Sequence, residues 1–345
     1  SGNRLRRNPR LAPNLADFLA TNKRSATLDF DALDESFART LCERADLLLV
    51  DTSEPFVQRL LQERVYEQSN AVLTVITPWG LESPYAALCE DELLAFALSG
   101  IASVTPEDAE DPVYERPMQL YGHQAQFAAG LTAAVASLEA WFAAQQDGRP
   151  RLVDLAVLDA LASMPIISQA AVFAGNPLPR PPSERPQTVP RGFLLCRDGY
   201  VYTQGGDDNW PGWAQLLGRR EWEQPPFSEP AYREQHWPEL GAAIQRWLDA
   251  QSNADVYRAC QAKGITCFPV NTIGQVVANS QVAQREVFGT VRRRDGAAGF
   301  RAPRTPFRLL APALASEPDT APALGADLAW LEATFGLPRV AAEQR

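Results

Sequence analysis

Two short, uninterrupted apolar runs, Asp46-Leu47-Leu48-Leu49-Val50 and Ala71-Val72-Leu73-Thr74-Val75-Ile76, flank a helical stretch over residues 54–66. A strand that is apolar at successive positions must be covered on both faces, which is the situation of a parallel sheet between helices. Ser25-Ala26-Thr27-Leu28-Asp29-Phe30 reads as a further short strand, followed by helical periodicity over 33–44. This alternation predicts an α/β fold with a parallel sheet and right-handed crossovers. Thr77-Pro78-Trp79-Gly80 breaks the run that ends at Ile76. In open α/β sheets that C-terminal edge is where ligands bind.

Helical patterns continue over 90–99, over a long Ala-rich stretch at 127–144, and over 153–163. Six prolines within 177–190 mark a linker. Beyond it, Phe193-Leu194-Leu195-Cys196 and Tyr200-Val201-Tyr202-Thr203 flank Asp198-Gly199, a hairpin signature. Helices over 213–262 and an apolar strand at 265–270 follow. The chain of 345 residues is 46% apolar, enough to bury two cores. The expected division is a large Rossmann-like domain over 1–176, a linker over 177–191, a smaller α+β domain over 192–300, and a C-terminal segment, 301–345, that wraps back onto the large domain. Trp210, Trp213 and Trp222 are expected in the core of the smaller domain.

With 32 Lys+Arg against 42 Asp+Glu, the net charge is −10, which argues against nucleic acid as the main partner. The five cysteines have neither Cys-x-x-Cys nor zinc spacing, so no metal site is expected and reduced buried thiols are. No signal peptide is visible. The run 127–144 nears membrane-spanning length, but Ala and Gly dominate it, which predicts a buried core helix rather than a membrane span. A cytoplasmic protein is the expectation.

Tyr121-Gly122-His123-Gln124-Ala125-Gln126 enters the long helix and contains one of two histidines. His123 is a candidate acid or base, since imidazole chemistry suits proton transfer, and Gln124 and Gln126 offer amide donors for a carboxylate or thioester carbonyl. His123 and Gln126 would share a helix face. Gly-x-Ser-x-Gly, the P-loop, Gly-x-Gly-x-x-Gly and His-Glu-x-x-His are all absent.

Seven elements, in order, resemble the family III CoA-transferases, which include formyl-CoA transferase, carnitine CoA-transferase and α-methylacyl-CoA racemase. They are Asn22-Lys23-Arg24-Ser25-Ala26-Thr27-Leu28-Asp29, Arg44-Ala45-Asp46-Leu47-Leu48, the loop from Ile76 to Tyr85, Ala97-Leu98-Ser99-Gly100, Gly148-Arg149 with Val153-Asp154, Gly264-Ile265-Thr266-Cys267-Phe268-Pro269-Val270, and Ala321-Pro322-Ala323-Leu324-Gly325. The resemblance implies a Rossmann-like large domain, a smaller domain, and dimers whose chains interlock. It also implies coenzyme A or an acyl-CoA as co-substrate and a carboxylic acid as the other small-molecule partner. By resemblance, Arg59 lies where the family places a phosphate-contacting arginine, Trp79 and Gly80 lie in the pocket loop, and Arg4 and Arg7 belong to a basic cluster suited to a 3′-phosphate.

The resemblance is incomplete at the chemical centre. The family's nucleophilic Asp, in a pattern resembling Asp-Tyr-x-Thr-Gly-Leu, corresponds to Gln126 in Gln126-Phe127-Ala128-Ala129-Gly130-Leu131. A carboxamide does not ionise and is a poor nucleophile. The racemase branch's His–Asp pair falls on or near Asp91 and again on Gln126. Asp91 and Glu92 are the carboxylates expected beside His123, able to orient it or favour its charged form. The family's opening strand–helix–strand is not found before residues resembling its Gly2-Asn3-Arg4-Leu5-Arg6-Arg7 element, and the Gly-rich loop is replaced by the Pro-rich linker. Three functions follow: acyl-CoA chemistry by an altered site, a non-catalytic subunit of a heteromeric CoA-transferase beside a paralogous Asp-bearing chain, or a pocket reused for a ligand without CoA. The expected assembly is a homodimer or a heterodimer with a paralogous subunit.

Overall fold

A computed structural model describes residues 14–28, 35–51, 55–88, 91–105, 118, 120–176, 187–293, 296–307 and 320–335. The chain divides into two compact units. The first comprises Ser1–Thr105, Pro117–Pro177 and Gln281–Arg345, and the second Pro106–Arg116 and Leu178–Ser280.

The first unit opens with α1 (Leu15–Leu19) and α2 (Glu35–Arg44), then β1 (Leu47–Asp51), α3 (Pro55–Gln62) and β2 (Val72–Thr77). It continues with α4 (Glu92–Leu98), α5 (Gln124–Asp147), β3 (Arg151–Ala156), α6 (Val157–Ala162) and α7 (Ile166–Phe173). The strands form a parallel sheet in the order β1-β2-β3, with Leu49 opposite Thr74 and Thr74 opposite Val153. The central strand is the most apolar, and Val72, Leu73 and Val75 are fully buried. Phe37, Phe56, Leu60 and Leu73 join one cluster, while Ala129 and Ala133 of α5 pack with Leu155 and Ala160 in another. A polar contact in this layer joins Thr74 Oγ1 to Ser137 Oγ at 2.6 Å, each satisfying the other.

Two expectations are corrected here. Residues 25–28 form no strand: Ser25 bonds instead to the C-terminal segment, its N–H donating to Asp327 Oδ2 at 2.8 Å and its carbonyl accepting from the Asp327 N–H. The helix expected over 153–163 is a third parallel strand as far as Ala156 and a helix only beyond it. Asp154 breaks the apolar run, but it sits beside the sheet's C-terminal edge, where both its oxygens accept from the Leu81 N–H at 3.1 Å.

α5 starts at left-handed His123 and ends at left-handed Gly148, whose N–H closes on Ala144 O at 2.8 Å. It is not the buried helix expected from composition. Ala125, Ala129, Ala133 and Ser137 are buried on its inner face, but Phe127, Leu131, Val135, Leu138 and Phe142 are exposed, Leu131 by 71%. It is the one helix among the described residues that is long and apolar enough to cross a membrane, a test that core helices also pass.

The second unit holds β4 (Gly192–Cys196), β5 (Gly199–Thr203), α8 (Trp210–Leu216), α9 (Pro230–Gln235), α10 (Trp237–Ala250), α11 (Asn253–Gln261), β6 (Cys267–Pro269), α12 (Ile273–Val277) and the start of α13 (Ser280–Gln284). The hairpin forms as expected, and β6 adds antiparallel to β5. Trp210, Trp213 and Trp222 are buried in one cluster with Val201, Leu248 and Cys260. The remaining strands, β7 (Phe288–Arg293), β8 (Phe300–Pro303) and β9 (Thr320–Ala321), belong to the first unit and precede α14 (Leu328–Phe335). The boundary at 280 falls before the expected 300 because β7 pairs with β9 and Arg293 pairs with Asp17 at 3.0 Å.

The four described cysteines are free and buried. Burial is the main cause that pushes the Cys42 and Cys196 thiols up to about 11, assisted by Glu43 and by Cys267 respectively. Both are therefore expected to resist iodoacetamide at pH 7.5 and to react only after denaturation. Peptide mass mapping of native and unfolded protein checks this.

Candidate active site

The site is built where α4 meets the start of α5. Asp91 caps α4, its side chain accepting from the Leu93 N–H at 2.7 Å. That places Glu92 in the first turn of α4, side chain only 10% exposed, facing the open N–H groups of α5. Glu92 Oε1 accepts from the Ala125 N–H at 2.8 Å. It therefore caps α5 from another helix, replacing the side-chain cap that His123 does not provide.

Two more groups converge on this carboxylate. His123 Nδ1 lies 3.4 Å from Glu92 Oε2, an ion-pair contact when the imidazole is protonated. The Gln126 amide faces the same two oxygens. An amide oxygen there would repel them, so the nitrogen takes that position and donates at 3.0 Å to each. Glu92 is thus held by a backbone N–H, a carboxamide and an imidazole. His123 itself is 48% exposed, and its φ of 60° follows Gly122 at 92°. Gln124 turns back, its amide donating to Tyr121 O at 3.3 Å.

The loop after β2 is fixed through two successive backbone N–H groups, one bonded locally and one to β3. The Gly80 N–H donates to Thr77 Oγ1 at 2.6 Å, and the next N–H, of Leu81, reaches Asp154. Gly80 has φ 97°, and a Cβ there would meet nothing closer than 3.9 Å, so it is the backbone angle and not space that favours glycine. Trp79 is buried, its ring edge-on to Tyr85 at 6.1 Å, and its indole N–H has no partner among the described residues.

His123, Gln126 and Glu92 are therefore brought together, whereas Asp91 is engaged with its own helix. Arg59 lies in α3, its guanidinium 5.9 Å from the Phe56 ring. Arg4 and Arg7 lie outside the described residues. Asp154 was missed in the sequence because 153–163 read as helix. Its signal was a carboxylate at the C-terminal end of a parallel strand. Among the described residues no cluster of His, Cys, Asp and Glu could hold a metal.

A family model described as CoA-transferase family III matches residues 2–328. Succinyl-CoA:(R)-benzylsuccinate CoA-transferase subunit BbsE of Thauera aromatica is 28% identical over 278 residues, 76% of this chain. The match spans 66% of that relative's length, just under two thirds. Among solved structures, a CAIB/BAIF family protein from Brucella suis superposes with TM-score 0.77 at 21% identity, over 92% of this chain and 82% of the other. The Rv3272 protein of Mycobacterium tuberculosis gives 0.73 at 21%, over 95% and 87%. Both likenesses bear on the fold.

Proposed function

Because the chain belongs to CoA-transferase family III, we propose that it is the non-nucleophilic subunit of a heteromeric enzyme that transfers CoA between carboxylic acids. A CoA thioester is its co-substrate, as membership of the family supports. The paralogous partner carries the Asp that attacks the thioester, and this chain supplies the companion surface. The observation that carries this reading is Gln126, a carboxamide with its nitrogen committed to Glu92 at the start of α5. The Thauera relative is itself a CoA-transferase subunit, which supports this reading. The test is co-expression with a paralogue bearing Asp at this position: the two should co-purify, and a homodimer with full turnover would overturn the reading.

The outer face of α5 supports association. Phe127, Leu131, Val135, Leu138 and Phe142 recur at helical spacing and are all exposed. Leu131→Glu is expected to weaken subunit association at least tenfold, since it places a charge on an apolar contact. Sedimentation of wild-type and variant protein measures this.

A second reading, an acyl-CoA reaction run by His123, is favoured by its 3.4 Å contact with Glu92, the arrangement of a base held by an orienting carboxylate. It predicts that His123→Gln abolishes whatever turnover the isolated chain has.

A further inference from the structure

We propose that the second unit carries a preformed binding site for a small aromatic carboxylate, in a cavity of about 260 Å³ lined by Leu217, Arg219, Trp222, Ala243, Arg246 and Trp247. All six residues belong to the second unit, and nothing in the site depends on Gln126 or on the subunit reading. α10 turns Leu240, Ile244 and Leu248 into the core, which leaves Ala243 and Trp247, one turn apart, at the border of that face. Ala243 contributes only a methyl group to the wall. After α8, the Arg219 N–H donates to Ala214 O at 2.8 Å and the Arg219 carbonyl accepts from the Trp222 N–H at 2.9 Å. These bonds fix the turn that brings Arg219 and Trp222 to the same cavity. Both indoles are held by other rings. Trp222 stacks on Trp210 with centroids 5.2 Å apart, and Trp247 stands edge-on to Trp213 at 6.4 Å. Walls fixed in advance lower the ordering cost of binding.

Charge selects the ligand. The chain carries a net −10, yet this cavity holds two guanidiniums. Arg219 has a carboxylate at hand, Glu221 at 3.5 Å, with both side chains more than half exposed. Arg246 has no hydrogen-bond, ion-pair or ring partner among the described residues. Its helical neighbours three and four positions away are Ala242, Ala243, Asp249 and Ala250, and Asp249 already accepts from Gln245 at 2.7 Å. One guanidinium fork is therefore open beside two indoles. A planar carboxylate matches the fork with two parallel bonds. A flat ring on that carboxylate covers the indole surface, which a phosphate or a short aliphatic acid leaves bare. The volume is below the roughly 300–1,000 Å³ of sites for drug-sized ligands, and it suits a single ring.

Benzoate is the probe, titrated into the full chain at neutral pH while the indole N–H signals are followed by nitrogen–proton NMR. Trp222→Phe and Trp247→Phe assign the two signals that matter. Benzoate is expected to shift both signals to saturation. Benzamide, which lacks the charge, and acetate, which lacks the ring, are expected to bind at least about tenfold more weakly. Arg246→Gln removes the anchor without breaking a bond of the fold, and it should weaken benzoate by about tenfold or more. Arg246→Lys should recover only part of that loss, because an ammonium keeps the charge but not the fork. If millimolar benzoate moves neither signal, if benzamide binds as well as benzoate, or if Arg246→Gln binds benzoate like wild type, the site is refuted. None of these readouts involves transfer of CoA, so a negative result leaves the subunit reading untouched.

Discussion

Arg233→Met is expected to destabilise the second unit by about 3–5 kcal/mol. The guanidinium is 1% exposed and is shared among four acceptors. Nε donates to Thr188 O at 2.6 Å, Nη1 to Ser228 O at 2.7 Å and Phe227 O at 3.1 Å, and Nη2 to Asp207 Oδ1. Its face lies 4.8 Å from the Trp210 ring centroid. Methionine fills similar volume but leaves the carbonyls without donors, each costing about 1–3 kcal/mol where buried. Lysine is no substitute, because a point charge cannot reproduce a planar fork. Urea unfolding followed by tryptophan fluorescence reads this directly, since Trp210, Trp213 and Trp222 belong to the same core. A loss below about 1 kcal/mol would mean that water replaces the guanidinium at little cost.

The second large effect is an asymmetry between subunits. In the proposed heteromer, Gln126→Ala should leave turnover within about twofold of wild type, because no bond to substrate forms at this residue. Substitution of the partner's nucleophilic Asp should lower turnover by on the order of 10⁶-fold, as loss of other covalent nucleophiles does. Steady-state exchange rates of the two variant heteromers decide it. A comparable loss from Gln126→Ala would give this chain a direct part in the chemistry.

How far the sequence reveals this molecule differs from element to element. β1 and β2 are legible because their side chains are apolar at nearly every position, and the hairpin because Asp198-Gly199 supplies the turn. β3 is not, since its C-terminal end carries Asp154, a residue placed there for the loop after β2 rather than for the strand. The lone Ser25 stretch looks like a strand, but its backbone partners lie some three hundred residues on, at Gly325 and Asp327. In the site, His123, Gln126 and Glu92 were named from the sequence, yet the direction of their contacts was not. Helical spacing puts His123 and Gln126 on one face, and the structure turns both toward Glu92, which also serves the first turn of α5 as an acceptor from outside. Arg233 carried no signal at all: a single arginine in a polar helix looks solvated until the carbonyls of 188, 227 and 228 are seen to converge on it.

In the proposed heteromer this chain is a CoA-transferase subunit that does not itself carry the covalent step. This is tested most directly by following transfer of CoA from a radiolabelled acyl-CoA to a free carboxylic acid, with the purified chain alone and with its Asp-bearing paralogue. No transfer above background is expected from the chain alone, and full transfer from the pair. Sustained transfer by the chain alone, at a rate unchanged on adding the paralogue, would contradict this.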